Sequence, residues 1–191
     1  MGGTGADLTF SVPGEVRGKG RPRIGMIGGR KNPASGRREG GLARMIPDKQ
    51  TVDYEARLRN AARLAMEAAG YHESDFDGPL SVILRARFTP AASTPKKRLA
   101  EMLLDRLRPT KKPDMDNIVK LLDALQRKRF KRKDGSFDIE PCVFPDDSAV
   151  VELTAFKVYA EEPGLDIRIT AWEPEAMVEF VEPEPQQLTL T

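Results

Sequence analysis

Lys111-Lys112-Pro113-Asp114-Met115-Asp116-Asn117-Ile118-Val119-Lys120-Leu121-Leu122-Asp123-Ala124-Leu125 is the most informative run in this 191-residue chain. Ile118, Leu121, Leu122 and Leu125 recur at i, i+3, i+4 and i+7, the apolar stripe of a helix. Asp116, Lys120 and Asp123 fall together on another face of it. Pro113 and the two aspartates mark its start, where the helix dipole favours negative charge.

Working outward, residues 79–88 alternate as Leu80, Val82, Leu84, Ala86 and Phe88, which predicts a strand. Ser93-Thr94-Pro95 supplies a cap and a first-turn proline for a short helix over 95–107. Further upstream, residues 51–69 predict an amphipathic helix with Thr51 as its cap. Its stripe is Tyr54, Leu58, Ala61, Ala62, Ala65 and Met66, and Gly70 stops it. Leu8, Phe10 and Val12 predict a first strand. Between that strand and the helix, the chain from Gly14 to Pro47 is rich in Gly, Arg and Lys and poor in large apolar groups. It reads as a flexible basic loop over 13–47.

Downstream, residues 127–133 are almost entirely basic and Asp134-Gly135 signals a turn. Phe144-Pro145-Asp146-Asp147-Ser148 then leads into an alternating strand over 149–160, and Pro163-Gly164 turns the chain into a last strand with Leu165, Ile167, Ile169 and Ala171. Residues 173–191 are acidic and proline-bearing, the composition of a disordered tail. The order β-α-β-α-α-β-β predicts one α+β domain over 1–172, a small mixed sheet with helices on one face.

Composition narrows the function classes. One Cys and one His exclude a disulfide framework and a structural zinc site. No apolar run approaches the length of a membrane span and no leader is visible, so a soluble, cytoplasmic protein is expected. The net charge of +2 hides an uneven distribution: the first 133 residues hold an excess of 14 positive charges and the last 58 an excess of 12 negative ones. A basic body of that kind suits a polyanionic partner.

The aspartates suggest chemistry that fits such a partner. Asp114 and Asp116 stand two apart, with Lys120 one turn on, and Asp146 and Asp147 follow some thirty residues later. Aspartates at a helix start commonly cap it, and Asp-Asp before a strand commonly makes a turn. If the fold gathers them, oxygen ligands without His or Cys favour Mg²⁺ or Mn²⁺. An ion so held polarises a phosphate and activates water, and Lys120 offsets charge on the phosphate. An EF-hand is excluded, because position 6 from Asp114 is Val119 and position 12 is Leu125. Gly18-Lys19-Gly20-Arg21-Pro22-Arg23 lacks the spacing of a nucleotide-binding P-loop. The Asp-x-Lys ending of many nucleases is also absent, since Lys120 follows Asp116 by four. His72 reads as a solvated loop side chain and Cys142 as a small apolar filler.

Lys112-Pro113-Asp114-Met115-Asp116-Asn117-Ile118-Val119-Lys120, the following Asp123-Ala124-Leu125 and the later Asp146-Asp147-Ser148-Ala149-Val150 together resemble the RusA family of Holliday junction resolvases. Gly18-Lys19-Gly20-Arg21-Pro22-Arg23 and Tyr54-Glu55 are similar to that family's N-terminal signature. The resemblance covers roughly residues 8–171. It implies a Mg²⁺-dependent (or Mn²⁺-dependent) endodeoxyribonuclease, often phage- or prophage-encoded, that works as a homodimer on four-way DNA junctions in recombination and repair. Carried over by position, the catalytic and metal-binding carboxylates are Asp114, Asp116 and Asp147 and the essential lysine is Lys120, with Asn117 and Asp146 in support.

The connector from Gln126 to Pro145 departs from the family pattern, and we expect a basic insertion over 126–145 that contacts DNA. The expected DNA-binding set is Lys19, Arg21, Arg23, Lys111, Lys112, Arg127, Arg129, Lys131 and Arg132, with Phe130 or Phe144 packing on bases. A non-catalytic branched-DNA-binding protein on the same fold is the alternative. A phosphohydrolase of small nucleotides needs less basic surface than this chain carries.

Overall fold

The computed structural model describes residues 5–36, 38–131, 134–135, 137–140 and 142–174. The first strand, β1 (Asp7–Pro13), buries Leu8, Phe10 and Val12 and exposes the residues between them. The segment expected to be a loop is organised as a ribbon. Within it β2 (Arg23–Ile27) pairs antiparallel with β5 (Leu42–Ile46), and β3 (Arg30–Lys31) with β4 (Arg38–Glu39). Composition gives no sign of this ribbon, the arm, because ladder hydrogen bonds need no buried face.

Helix α1 (Lys49–Ala69) begins two residues before the expected start. Its cap is Asp48, whose carboxylate accepts from the Thr51 N–H at 3.2 Å, rather than Thr51 itself. Thr51, Tyr54, Leu58, Ala62 and Met66 are its buried stripe, and Gly70 ends it in the left-handed conformation (φ 71°). A 3₁₀ turn, Glu73–Phe76, leads to β6 (Leu80–Phe88), in which every second side chain enters the core. Helix α2 (Lys96–Leu103) is shorter than expected and packs against β9 (Val150–Tyr159).

The decisive segment folds in two parts. A five-residue helix α3 (Met115–Val119) passes into a 3₁₀ helix, Lys120–Leu125. Ile118, Leu121, Leu122, Ala124 and Leu125 are all buried there, so the apolar stripe anchors the segment as the sequence required. Hairpin β7 (Lys128–Lys131) and β8 (Phe137–Glu140) follows, and a 3₁₀ turn, Asp147–Ala149, opens β9.

The last strand, β10 (Gly164–Ala171), inserts between β1 and β6 and runs antiparallel to both, while β9 lies parallel to β6. The sheet order is therefore β1-β10-β6-β9. Core pairs across it include Leu8–Ile169, Phe10–Ile167 and Ile167–Leu84. Helix α1 covers β1 and meets the 3₁₀ helix, and α3 rests on β9. This is the mixed α+β architecture that the order of elements predicts. The opposite face is polar at β1 and β10, where Arg168 grips Asp7 through two hydrogen bonds of 3.0 and 2.7 Å. No helix among the described residues is long and apolar enough to cross a membrane. Of the expected tail, residues 175–191 lie outside the described residues.

Candidate active site

Asp114 occupies the capping position of α3 with extended backbone (φ −69°, ψ 151°), yet its side chain makes no capping hydrogen bond. Its carboxylate is exposed and lines a cavity of about 470 Å³ together with Lys19, Asp48, Lys112 and Asn117. Asp116, in the first turn of the helix, is also exposed. The Lys120 ammonium donates to its Oδ2 at 2.9 Å. That hydrogen bond, helped by the lysine charge, holds the Asp116 carboxyl below the usual aspartate range.

Asp146 and Asp147 divide the work of the later turn. Asp146 is the cap: its Oδ1 accepts from the Ser148 N–H at 3.1 Å, and the Ser148 hydroxyl and N–H lower its pKa. Asp147 stands at the first position of the turn with an exposed side chain. Because α3 packs on the strand that this turn opens, both carboxylate stations belong to one packed unit. Among the described residues, no group of three or more His, Cys, Asp or Glu is arranged to hold a metal ion. The donor chemistry nonetheless suits a hard cation: the carboxylates of Asp114, Asp116 and Asp147 are exposed oxygen ligands, and Asp114 is not taken up as a cap.

Lys19 was expected to meet DNA, and the structure gives it an internal role. Its ammonium donates to Asp123 Oδ2 at 2.5 Å and lies 3.7 Å from Glu55 Oε1. Its backbone N–H donates to the Asn117 carbonyl at 2.7 Å. Gly18 permits this approach, since a Cβ there would stand 2.8 Å from the Pro113 Cβ and 2.9 Å from the Asn117 Cβ. On the far side the Gly20 N–H donates to Thr51 Oγ1 at 2.9 Å. Lys19 thus straps α1 to the α3 segment, and Asp123 faces this strap rather than Asp116. The change of helix type explains the difference, because 3₁₀ winding rotates Asp123 away from the α-helical face expected for it. Glu55 and Asp123 were not expected at the site. The signal for them was present, since Tyr54-Glu55 and Asp123-Ala124-Leu125 are among the motifs that carry the resemblance.

The other basic residues separate in the same way. Arg21, Arg23 and Lys112 are exposed. Lys111 is exposed too, and its ammonium lies 5.8 Å from the Phe88 ring centroid. Arg127 was expected on DNA, but its side chain is only 19% exposed and is held by Glu73 (3.1 Å) and Asp77 (2.5 Å). Burial beside two carboxylates makes it a brace for the hairpin root. Phe144 is wholly buried in the core and offers no surface for a base. Arg132 lies outside the described residues, as do the side chains of Arg129, Phe130 and Lys131. Cys142 is buried with its thiol 3.4 Å from the Ala124 carbonyl, and His72 is exposed, both as expected.

Uncapped acidic oxygens beside a lysine, set in a basic body, are an arrangement able to work on a phosphodiester. Comparison with known proteins agrees. The family model described as endodeoxyribonuclease RusA matches residues 13–170. A curated relative, the uncharacterized protein YqaN of Bacillus subtilis (strain 168), is 30% identical over 168 residues, covering 85% of this chain and 94% of its own. With the match running from the end of β1 to the end of β10, the chain belongs to the RusA family of endodeoxyribonucleases.

Proposed function

We propose that this protein is a Mg²⁺-dependent endonuclease that cuts four-way DNA junctions as a homodimer. The observation that carries the reading is the α3 segment, where Asp114 is left uncapped and Asp116 is exposed against Lys120. Asp114, Asp116 and Asp147 would hold the ion, which when bound neutralises phosphate charge and activates water for in-line attack. Mn²⁺ satisfies the same oxygen ligands.

The remaining work falls to the chain itself. Lys120 holds the Asp116 carboxyl below the usual aspartate range by its hydrogen bond, and its exposed ammonium would face a phosphate oxygen of a bound backbone. The Lys19 strap fixes the carbonyl of Asn117, the residue after Asp116, and so holds the backbone that presents both aspartates. Lys112 borders the site with exposed charge, and Arg21 and Arg23 are exposed just after the Lys19 strap in the chain; such charge positions a phosphate backbone without reading sequence. A two-fold enzyme places two such sites on a two-fold substrate, which supports the dimeric reading.

Purified protein with a synthetic four-way junction tests the proposal. Paired nicks in opposed strands are expected in Mg²⁺, none in EDTA, and little cutting of linear duplex. Binding without cleavage in Mg²⁺ and in Mn²⁺ would instead make it a non-catalytic junction-binding protein.

A further inference from the structure

The arm combines large exposed apolar side chains with an excess of basic ones. Across the β2–β5 ladder Ile24 stands opposite Met45, and Ile27 opposite Leu42, with Arg44 between them opposite Gly25. Directly opposed residues share a face, so Ile24 and Met45 lie on one side and Ile27, Leu42, Arg44 and Arg23 on the other. Ile24 is 79% exposed, Leu42 75% and Met45 61%, and none of them belongs to the buried core. In the same stretch, residues 21–46 hold seven Lys or Arg and a single Glu.

A hairpin of two strands is marginal by itself in water, and large apolar side chains left on both faces call for a partner. That partner must be anionic to match the arginines, which disfavours a second copy of so basic an arm. It must also present flat apolar surface within a ribbon's width. Nucleic acid meets both conditions. The major groove admits a two-stranded ribbon, and apolar side chains of DNA-bending proteins enter between base steps. A ladder of five residues reaches about 17 Å, around half a turn of duplex.

Resting on the junction-cleaving reading above, we propose that the arm is a base-contacting wedge. Its arginines hold phosphates, while Ile24, Leu42 and Met45 cover base faces left without a stacking neighbour at the branch point. The strap ties this action to the site, because Gly18 and Lys19 at the arm's root are seated on Pro113 and Asn117. Bases are then unstacked within reach of Asp114 and Asp116.

A junction carrying 2-aminopurine beside the branch reads the wedge directly, since its fluorescence rises when the base leaves the stack. In EDTA, saturating wild-type protein is expected to raise the signal. The double variant Ile24→Ser, Leu42→Ser should bind the junction about tenfold more weakly and give no rise at saturation. Arg23→Ala with Arg44→Ala should lose affinity yet keep the rise once saturated, which separates base contact from charge.

A serine variant that saturates with a full rise overturns the wedge. So does one that changes the sedimentation of the free protein while leaving the rise intact, because the apolar residues would then join subunits. If the wild type neither binds nor cuts the junction, the reading beneath the proposal fails instead.

Discussion

The arm and the stretch 106–127 hold similar numbers of basic residues, seven in 21–46 and six in 106–127, and use them differently. In the stretch, Arg108 pairs with Asp105 at 2.6 Å, donates to the Lys157 carbonyl and lies over Phe156. Lys120 is on Asp116, Lys111 is over Phe88 and Arg127 is held between Glu73 and Asp77. Arg21, Arg23 and Arg44 stay exposed, on or beside a ribbon that has few neighbours to offer them. Four of the six basic residues in the stretch meet a partner in the folded surface, whereas Arg21, Arg23 and Arg44 on or beside the projection are exposed to another molecule. A charge run in sequence does not distinguish the two.

Substitutions can break this contrast at several levels. The largest effect is expected at the carboxylates. Asp116→Asn or Asp147→Asn should reduce junction cleavage on the order of a hundred- to a thousandfold, with the dissociation constant hardly changed. A normal cleavage rate in Mg²⁺ would remove these residues from the site.

Next come the arginines themselves. Arg21→Ala with Arg23→Ala should weaken junction binding about tenfold at unchanged Tm. The salt dependence should flatten by about 0.9 in slope for each phosphate that is no longer neutralised. Arg127→Ala should do the reverse, leaving the salt slope intact and costing about 1–3 kcal/mol of stability as Glu73 and Asp77 lose their partner. If the two variants behave alike, the division between arm and body is wrong.

The smallest effect sits at the root of α1. The Tyr54 hydroxyl is buried without a hydrogen-bond partner, and burial pushes its pKa up from 10.0 to about 12. A raised pKa protects the folded state while the phenol is protonated. This contribution is complete below pH 10 and is lost as pH climbs through 12. Tyr54→Phe should leave stability at neutral pH within about 1 kcal/mol of wild type, or slightly above it. It should also delete the latest step of the tyrosinate absorbance titration.

Much of this was legible in the residues. Alternation located the four sheet strands, and Ile118, Leu121, Leu122 and Leu125 marked the helical segment because burial imposes its period on sequence. The motif around Asp114 and Asp116 led to the family that the comparison over residues 13–170 then showed. The arm escaped notice because backbone pairing leaves little trace in composition, and its exposed Ile24 and Leu42 obey no core. Partners for Lys19, Arg127 and Phe144 were hidden for another reason. Each depends on segments far apart in sequence, as when Lys19 meets Asp123, and a single sequence holds no record of such distances.

The position of β10 also bears on how the protein is made. Because this strand lies between β1 and β6, those two have no partner in each other, and the sheet closes only once residues 164–171 have left the ribosome. A chain broken off before that point keeps Asp114, Asp116 and Asp147 beside the β6–β9 pair but lacks the strand that joins β1 to that pair. The carboxylates are therefore made before the strand that completes the sheet beneath them.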